Sequence, residues 1–140
     1  MPVYSCSTPL ALSPELKGAI AKEFTRIHRE LTGAPEPFVN IVFLDLPHGS
    51  HYLGGAVREN GTLINAIVRA GRTLETRQAL LKSLSAAWSS LTGQPERKLV
   101  IRVEEADAET IMEAGLTMPR PGEEAEWMAA NKETLGELAV

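Results

Sequence analysis

Pro2 has more chemical potential than any other residue in this chain. Methionine aminopeptidases remove an initiator methionine when the next residue is small, and proline qualifies. Processing here would leave a secondary amine at the chain start. An ordinary α-amino group titrates around 7.7–8.0, so a modest change of surroundings decides whether it is acid or base near neutrality. Met-Pro is also a common chain start with no role. His28 follows Ile27 and precedes Arg29 on a predicted helix, where an imidazole either meets a ligand or simply packs. Arg69 and Arg72, in Val68-Arg69-Ala70-Gly71-Arg72, fall where a predicted strand gives way to a helix. Ligands of α/β units gather at the carboxyl ends of parallel strands, and two guanidinium groups there can grip a carboxylate. The plain alternative is a solvated turn carrying two charges. Glu113 is a candidate general base, although by type it does not stand out from Glu104, Glu105 or Glu109. His48 and His51 lack a third ligand at familiar spacing, so no metal site is expected. The chain has no Gly-rich phosphate loop, Cys-x-x-Cys pair or Gly-x-Ser-x-Gly elbow.

The elements that must hold these residues repeat. Shifting the sequence by 60 positions lays Leu31-Thr32-Gly33-Ala34-Pro35-Glu36 over Leu91-Thr92-Gly93-Gln94-Pro95-Glu96. The same shift superposes Glu15 on Glu75, Ala19 on Ala79, Lys22 on Lys82 and Ile41 on Ile101. That period is too long for a solenoid unit and fits two copies of one supersecondary motif. In the first copy, Val3 to Ser7 is a predicted strand and Ser13-Pro14 is a helix start. Leu16, Ile20, Phe24, Ile27 and Leu31 then form an apolar helical stripe that Gly33 closes, and Phe38 to Leu46 is a second strand. In the second copy Thr62 to Arg69 is strand, Thr73 caps a helix from Leu74 to Leu91, and Leu99 to Val103 is strand.

Strand, helix, strand with short connections is a βαβ unit. Two of them predict a single α/β domain over 1–140, with pseudo-repeats at about 2–46 and 62–105. Its four-stranded, mainly parallel sheet should carry both helices on one face. The strands Phe38 to Phe43 and Leu99 to Ile101 are apolar on both sides, so the bare face should be covered by an oligomer. Residues 47–61 read as a loop with a hairpin closed by Asn60-Gly61. Residues 106–140 read as a short helix over Ala108 to Ala114, ended by Gly115, and an acidic tail.

Composition narrows the function. The chain has 140 residues, with 44% hydrophobic and 23% charged side chains, which are globular values that argue against disorder. A net charge of −4 argues against a nucleic-acid partner. No apolar run reaches the length of a membrane span, and no signal peptide is expected. Cys6 is the single cysteine, so a reducing compartment, the cytoplasm, is expected.

Taken together, these residues resemble the tautomerase superfamily, and within it the cis-3-chloroacrylic acid dehalogenase family, over nearly the whole chain. The resemblance lies in Pro2-Val3-Tyr4, in Leu12-Ser13-Pro14 leading to Ala21-Lys22, and in Ile27-His28-Arg29-Glu30-Leu31-Thr32-Gly33. Leu53-Gly54-Gly55, Arg69-Ala70-Gly71-Arg72, Met112-Glu113-Ala114-Gly115 and Pro119-Arg120-Pro121-Gly122-Glu123-Glu124-Ala125-Glu126-Trp127 follow in the same order.

The resemblance implies a homotrimer with sheets packed inward, an amino-terminal Pro2 as acid or base, and Arg69 and Arg72 on a substrate carboxylate. It further implies that His28 helps to bind substrate or water and that Glu113 activates water. Where the dehalogenases carry a tyrosine on the last strand, this chain has Arg102. A third arginine by the site would bind substrate and lower the Pro2 pKa, favouring base chemistry, a push that largely disappears if Arg102 points away or pairs with an acid such as Glu104. The expected function is therefore keto–enol tautomerisation of a 2-oxo acid such as phenylpyruvate, with no cofactor or metal. The alternatives are cis-3-haloacrylate dehalogenation or hydration, with Pro2 as acid and Glu113 as base, decarboxylation of malonate semialdehyde, and non-catalytic binding of a small acid.

Overall fold

A computed structural model of the chain describes residues 1–137. The first repeat is strand β1 (Val3–Thr8), helix α1 (Pro14–Thr32) and strand β2 (Asn40–Asp45), followed by a hairpin of β3 (Tyr52–Leu53) and β4 (Ala56–Val57). The second is β5 (Thr62–Arg69), α2 (Leu74–Thr92) and β6 (Leu99–Ala106), followed by a hairpin of β7 (Met112–Glu113) and β8 (Leu116–Thr117). Two short helices end the described part, α3 (Glu124–Ala130) and α4 (Lys132–Gly136).

The caps explain why the helices lie where the sequence places them. Ser13 and Thr73 each accept a hydrogen bond from the backbone three residues on, satisfying an otherwise orphan donor. Gly33 and Gly93 close the helices at φ 74° and 76°, left-handed conformations that disfavour a Cβ. Ile20, Phe24 and Ile27 of α1 and Leu80, Leu84 and Trp88 of α2 pack on Tyr4, Cys6, Ile64 and Ala66 of the central strands.

The sheet runs in the order β2-β1-β5-β6. The β1–β2 and β5–β6 pairs are parallel, as each βαβ unit requires, while the central β1–β5 pair is antiparallel. That central pair sets Val3 opposite Ile67. It thereby brings the amino-terminal end of β1 to the carboxyl end of β5, joining the chain start to the arginine turn. Both long helices lie on one face. The other exposes Val42, Leu44, Ile67 and Val100, each more than a third accessible.

Two local expectations are corrected. The hairpin in 47–61 turns at Gly54-Gly55, pairing Leu53 with Ala56, and Asn60-Gly61 leads into β5 instead. Residues 108–114 are a 3-10 turn (Ala108–Thr110) followed by β7, so Glu113 stands on a hairpin strand. Good helix formers lose there because the second hairpin copies the first at the repeat spacing, with Ala114-Gly115 in the place of Gly54-Gly55. The acidic tail forms α3 and α4 as far as Gly136, and residues 138–140 lie outside the described part. Among the described residues no helix is long and apolar enough to cross a membrane.

Candidate active site

The site forms where the chain start meets the end of β5. Pro2 is fully buried at the head of β1, and its carbonyl accepts a hydrogen bond of 3.0 Å from the Asn40 amide on β2. The Asn40 side chain bridges outward, donating to the Phe38 carbonyl at 3.0 Å and to Glu113 Oε1 at 3.0 Å. The other oxygen of Glu113 pairs with the Met1 ammonium. Asn40 therefore ties the acid on the second hairpin to the backbone of Pro2.

His28 comes from α1, one turn before its end, and is 2% exposed. Its Nδ1 lies 2.6 Å from the Tyr4 hydroxyl. Burial pushes the Tyr4 hydroxyl well above its ordinary range, so the phenol stays protonated. It has no other partner among the described residues, so it donates to Nδ1 and places the imidazole proton on Nε2. Burial, then the Arg72 guanidinium, the chain-terminal ammonium and Arg69, push the His28 pKa down to about 4. The imidazole is neutral at physiological pH and presents an N–H donor.

The arginines sit on the turn from β5 into α2. Arg72 Nη1 donates to the Thr32 carbonyl at 2.9 Å, the last residue of α1. Arg69 Nη1 donates to the Pro119 carbonyl at 2.7 Å and Nη2 to Glu124 at 2.6 Å. Burial and the neighbouring Arg69 lower the pKa of Arg72, against the opposing pull of Glu124. Its guanidinium is still charged throughout the neutral range.

Met1, His28, Phe38, Arg69, Arg72 and Trp127 line one pocket. Phe38 and Trp127 meet in a tilted pair, ring centres 5.8 Å apart, and form an apolar wall of the pocket that the guanidinium groups also line. With the Met1 side chain in place, only about 30 Å³ stays open, room for a water or two. Five residues singled out in the sequence, Pro2, His28, Arg69, Arg72 and Glu113, thus converge. Arg102 does not join them within the protomer. It projects from β6 on the bare sheet face, 67% exposed, and pairs with Glu104 at 3.2 Å. His48 and His51 lie at the opposite end of the sheet, His48 paired with Glu59. Burial pushes the Cys6 thiol up to about 12, so it is an unreactive core residue.

The family model Tautomerase_3, described as "Putative oxalocrotonate tautomerase enzyme", matches residues 1–132. The chain belongs to the tautomerase superfamily. No curated protein is a significant match. Among solved structures it is similar to N1, a member of the cis-3-chloroacrylic acid dehalogenase (cis-CaaD) family, at 30% identity and a TM-score of 0.90, with 98% of each chain covered. It also resembles Pt0534 inactivated by 2-oxo-3-pentynoate, at 26% identity and a TM-score of 0.75, over 83% of this chain and 94% of that one. A third similar structure is the R7 fused 4-OT wild type asymmetric trimer, at 26% identity and a TM-score of 0.74, over 82% and 94%.

Four residues of the candidate site carry no mark by type or spacing: Tyr4, Asn40, Glu124 and Trp127. Tyr4 alternates with solvent-side neighbours like any strand residue. Asn40 reaches Glu113 across 73 positions and Arg69 reaches Glu124 across 55, spacings that only the tertiary fold determines.

Proposed function

We propose that the protein is a cofactor-free tautomerase that interconverts the enol and keto forms of 2-oxo acids such as phenylpyruvate. The observation that carries this reading is the juxtaposition of the chain start with the arginine pair and neutral His28 in one pocket. Removal of Met1 would expose the Pro2 amine and vacate the space the methionine fills. The carboxylate of the acid would lie on Arg72, beside the Arg69–Glu124 pair, with its aryl group on Phe38 and Trp127. Pro2 takes the proton from the enol hydroxyl. The electron pair closes the C2 carbonyl while the C2–C3 double bond takes the proton back from Pro2 at C3. Nε2–H of His28 donates to the oxygen on which charge develops. The inactivation of the similar Pt0534 by 2-oxo-3-pentynoate, itself a 2-oxo acid, supports the substrate class.

One contact favours a second reading. Glu113 grips the terminal ammonium, and a carboxylate in that place stabilises a cationic Pro2. A cationic Pro2 is the proton donor that cis-3-haloacrylate dehalogenation or hydration needs, with Glu113 directing water onto C3. Similarity to N1 of the cis-CaaD family points the same way. Phenylenolpyruvate ketonisation, followed by ultraviolet absorbance, separates the cases. The native rate should exceed the buffer rate and collapse in Pro2→Ala, with intact mass showing Met1 removed. Equal background rates together with halide release from cis-3-chloroacrylate would select the second reading. Retained Met1 leaves an amide at Pro2, incapable of either chemistry, and would leave a non-catalytic small-acid binding protein.

The bare apolar face supports a homotrimer, as does the trimeric fused 4-OT relative. Arg102 lies on that face, so any part it takes in substrate binding depends on assembly against a neighbouring subunit. A cytoplasmic location is in keeping with the unpaired Cys6.

A further inference from the structure

One of the two guanidinium groups already holds a carboxylate from the chain's own tail. Arg69 is 10% exposed and bonds to both the Pro119 carbonyl and Glu124. The second oxygen of Glu124 accepts the Gly122 amide at 2.7 Å, which fixes the carboxylate against the turn. The tail also packs closely on the arginine turn: a Cβ on Gly71 would stand 2.5 Å from Pro121 Cγ. Burial works against the charge on Glu124, but its own backbone amide, Arg69 and the Gly122 amide outweigh it, holding its carboxyl below the usual range. Of the two guanidinium groups lining the pocket, Arg69 is matched by Glu124 and the neighbouring His28 is neutral, which leaves the charge of Arg72 for an incoming anion.

We propose that Glu124 is a specificity-determining residue, whose carboxylate, fixed on Arg69, sets the pocket to accept acids with one carboxylate and to disfavour dicarboxylates. This rests on the 2-oxo acid reading of the site and names the class of acid within it. The first carboxylate finds Arg72. A second would meet either the Phe38–Trp127 wall, where it loses its hydration, or Arg69, where Glu124 repels it.

The test is isothermal titration of the purified full chain with two non-reacting acids of similar size, hydrocinnamate and adipate. In Glu124→Gln, which keeps an acceptor for Arg69, the preference for hydrocinnamate over adipate should fall about tenfold, the scale of one partly screened charge a few ångström away. Glu124→Asp keeps the charge and should keep the preference within about twofold, a separation that a purely structural role would not produce. Glu124→Ser gives the same comparison if the glutamine variant does not fold. A preference unchanged in the neutral variant, or lost equally in Glu124→Asp, overturns the proposal. Phenylenolpyruvate turnover is assayed in parallel. A shifted preference without native turnover sinks the tautomerase reading alone, and turnover with an unmoved preference sinks only the role of Glu124.

Discussion

Acid should weaken this fold through His28 in a measurable window. The free imidazole titrates near 6.5, whereas in the folded chain burial and the surrounding cations hold His28 at about 4. Between those values the unfolded chain takes up a proton that the folded chain refuses. Stability contributed by the neutral imidazole is therefore intact above about pH 6.5, falls as pH drops, and levels off below about pH 4. At pH 5 the two states differ by about 2 kcal/mol, from a shift of 1.36 kcal/mol per pKa unit. His28→Gln has no titrating group at this place, and its amide can still meet the Tyr4 hydroxyl. The other ionisable residues are common to both proteins, so their difference isolates His28. Urea unfolding at pH 7 and pH 5, at one protomer concentration, should show native protein losing about 2 kcal/mol more than the variant. With a typical urea slope that is a midpoint difference of about 1 M. Parallel losses in the two proteins would refute the reasoning, as would an imidazole NMR titration centred near 6.5.

Ala114 holds φ 55° in the turn where the first repeat has Gly54 at φ 59°. Ala114→Gly should therefore raise stability by about 1 kcal/mol, read as a melting temperature roughly 3 °C higher, and a lower one would show the strain is absent. Arg72→Ala removes the guanidinium that Glu124 leaves free, so kcat/KM for phenylenolpyruvate should fall about ten- to a hundredfold, mostly through KM. An unchanged KM would mean that the carboxylate sits elsewhere.

The long elements were legible because their signals are local. Ser13, Thr73, Gly33 and Gly93 act on backbone within three or four residues, and the predicted helices end within a residue of those observed. The first hairpin was expected with its turn misplaced, and the second escaped, because β3, β4, β7 and β8 have two residues each, too few for alternation to register. Glu113 was recognisable as a candidate base but not as a strand residue, since its neighbours are good helix formers. In the candidate site, Pro2, His28, Arg69 and Arg72 could be picked out by type and setting, with the family resemblance supplying their expected roles. Asn40 and Glu124 do not, because each acts through a partner more than fifty positions away.

The repeat explains why a nearly symmetrical frame carries one site of this kind rather than two. The antiparallel β1–β5 pair relates the halves, so each feature at one end of the sheet has a counterpart at the other. At the repeat spacing, Pro2 corresponds to Thr62, which lies inside the chain and has an amide where Pro2 could have an amine. Thr62 instead bonds to Thr8 at 2.8 Å, with both side chains buried, and closes its end of the sheet. Arg69 and Arg72 correspond to Pro9 and Leu12, which carry no charge to attract an anion. His28 corresponds to Trp88, whose indole N–H is satisfied by Gln94 at 2.8 Å, the residue standing where the first half has Ala34. Trp88 with Gln94 fills the space that His28 with Ala34 leaves open to the pocket. A chain has one amino terminus, and only one of two related ends can use it. The polar residues that would serve a proline amine are gathered at that end, while at the other Thr62, Trp88 and Gln94 are buried and hydrogen-bonded within the protein.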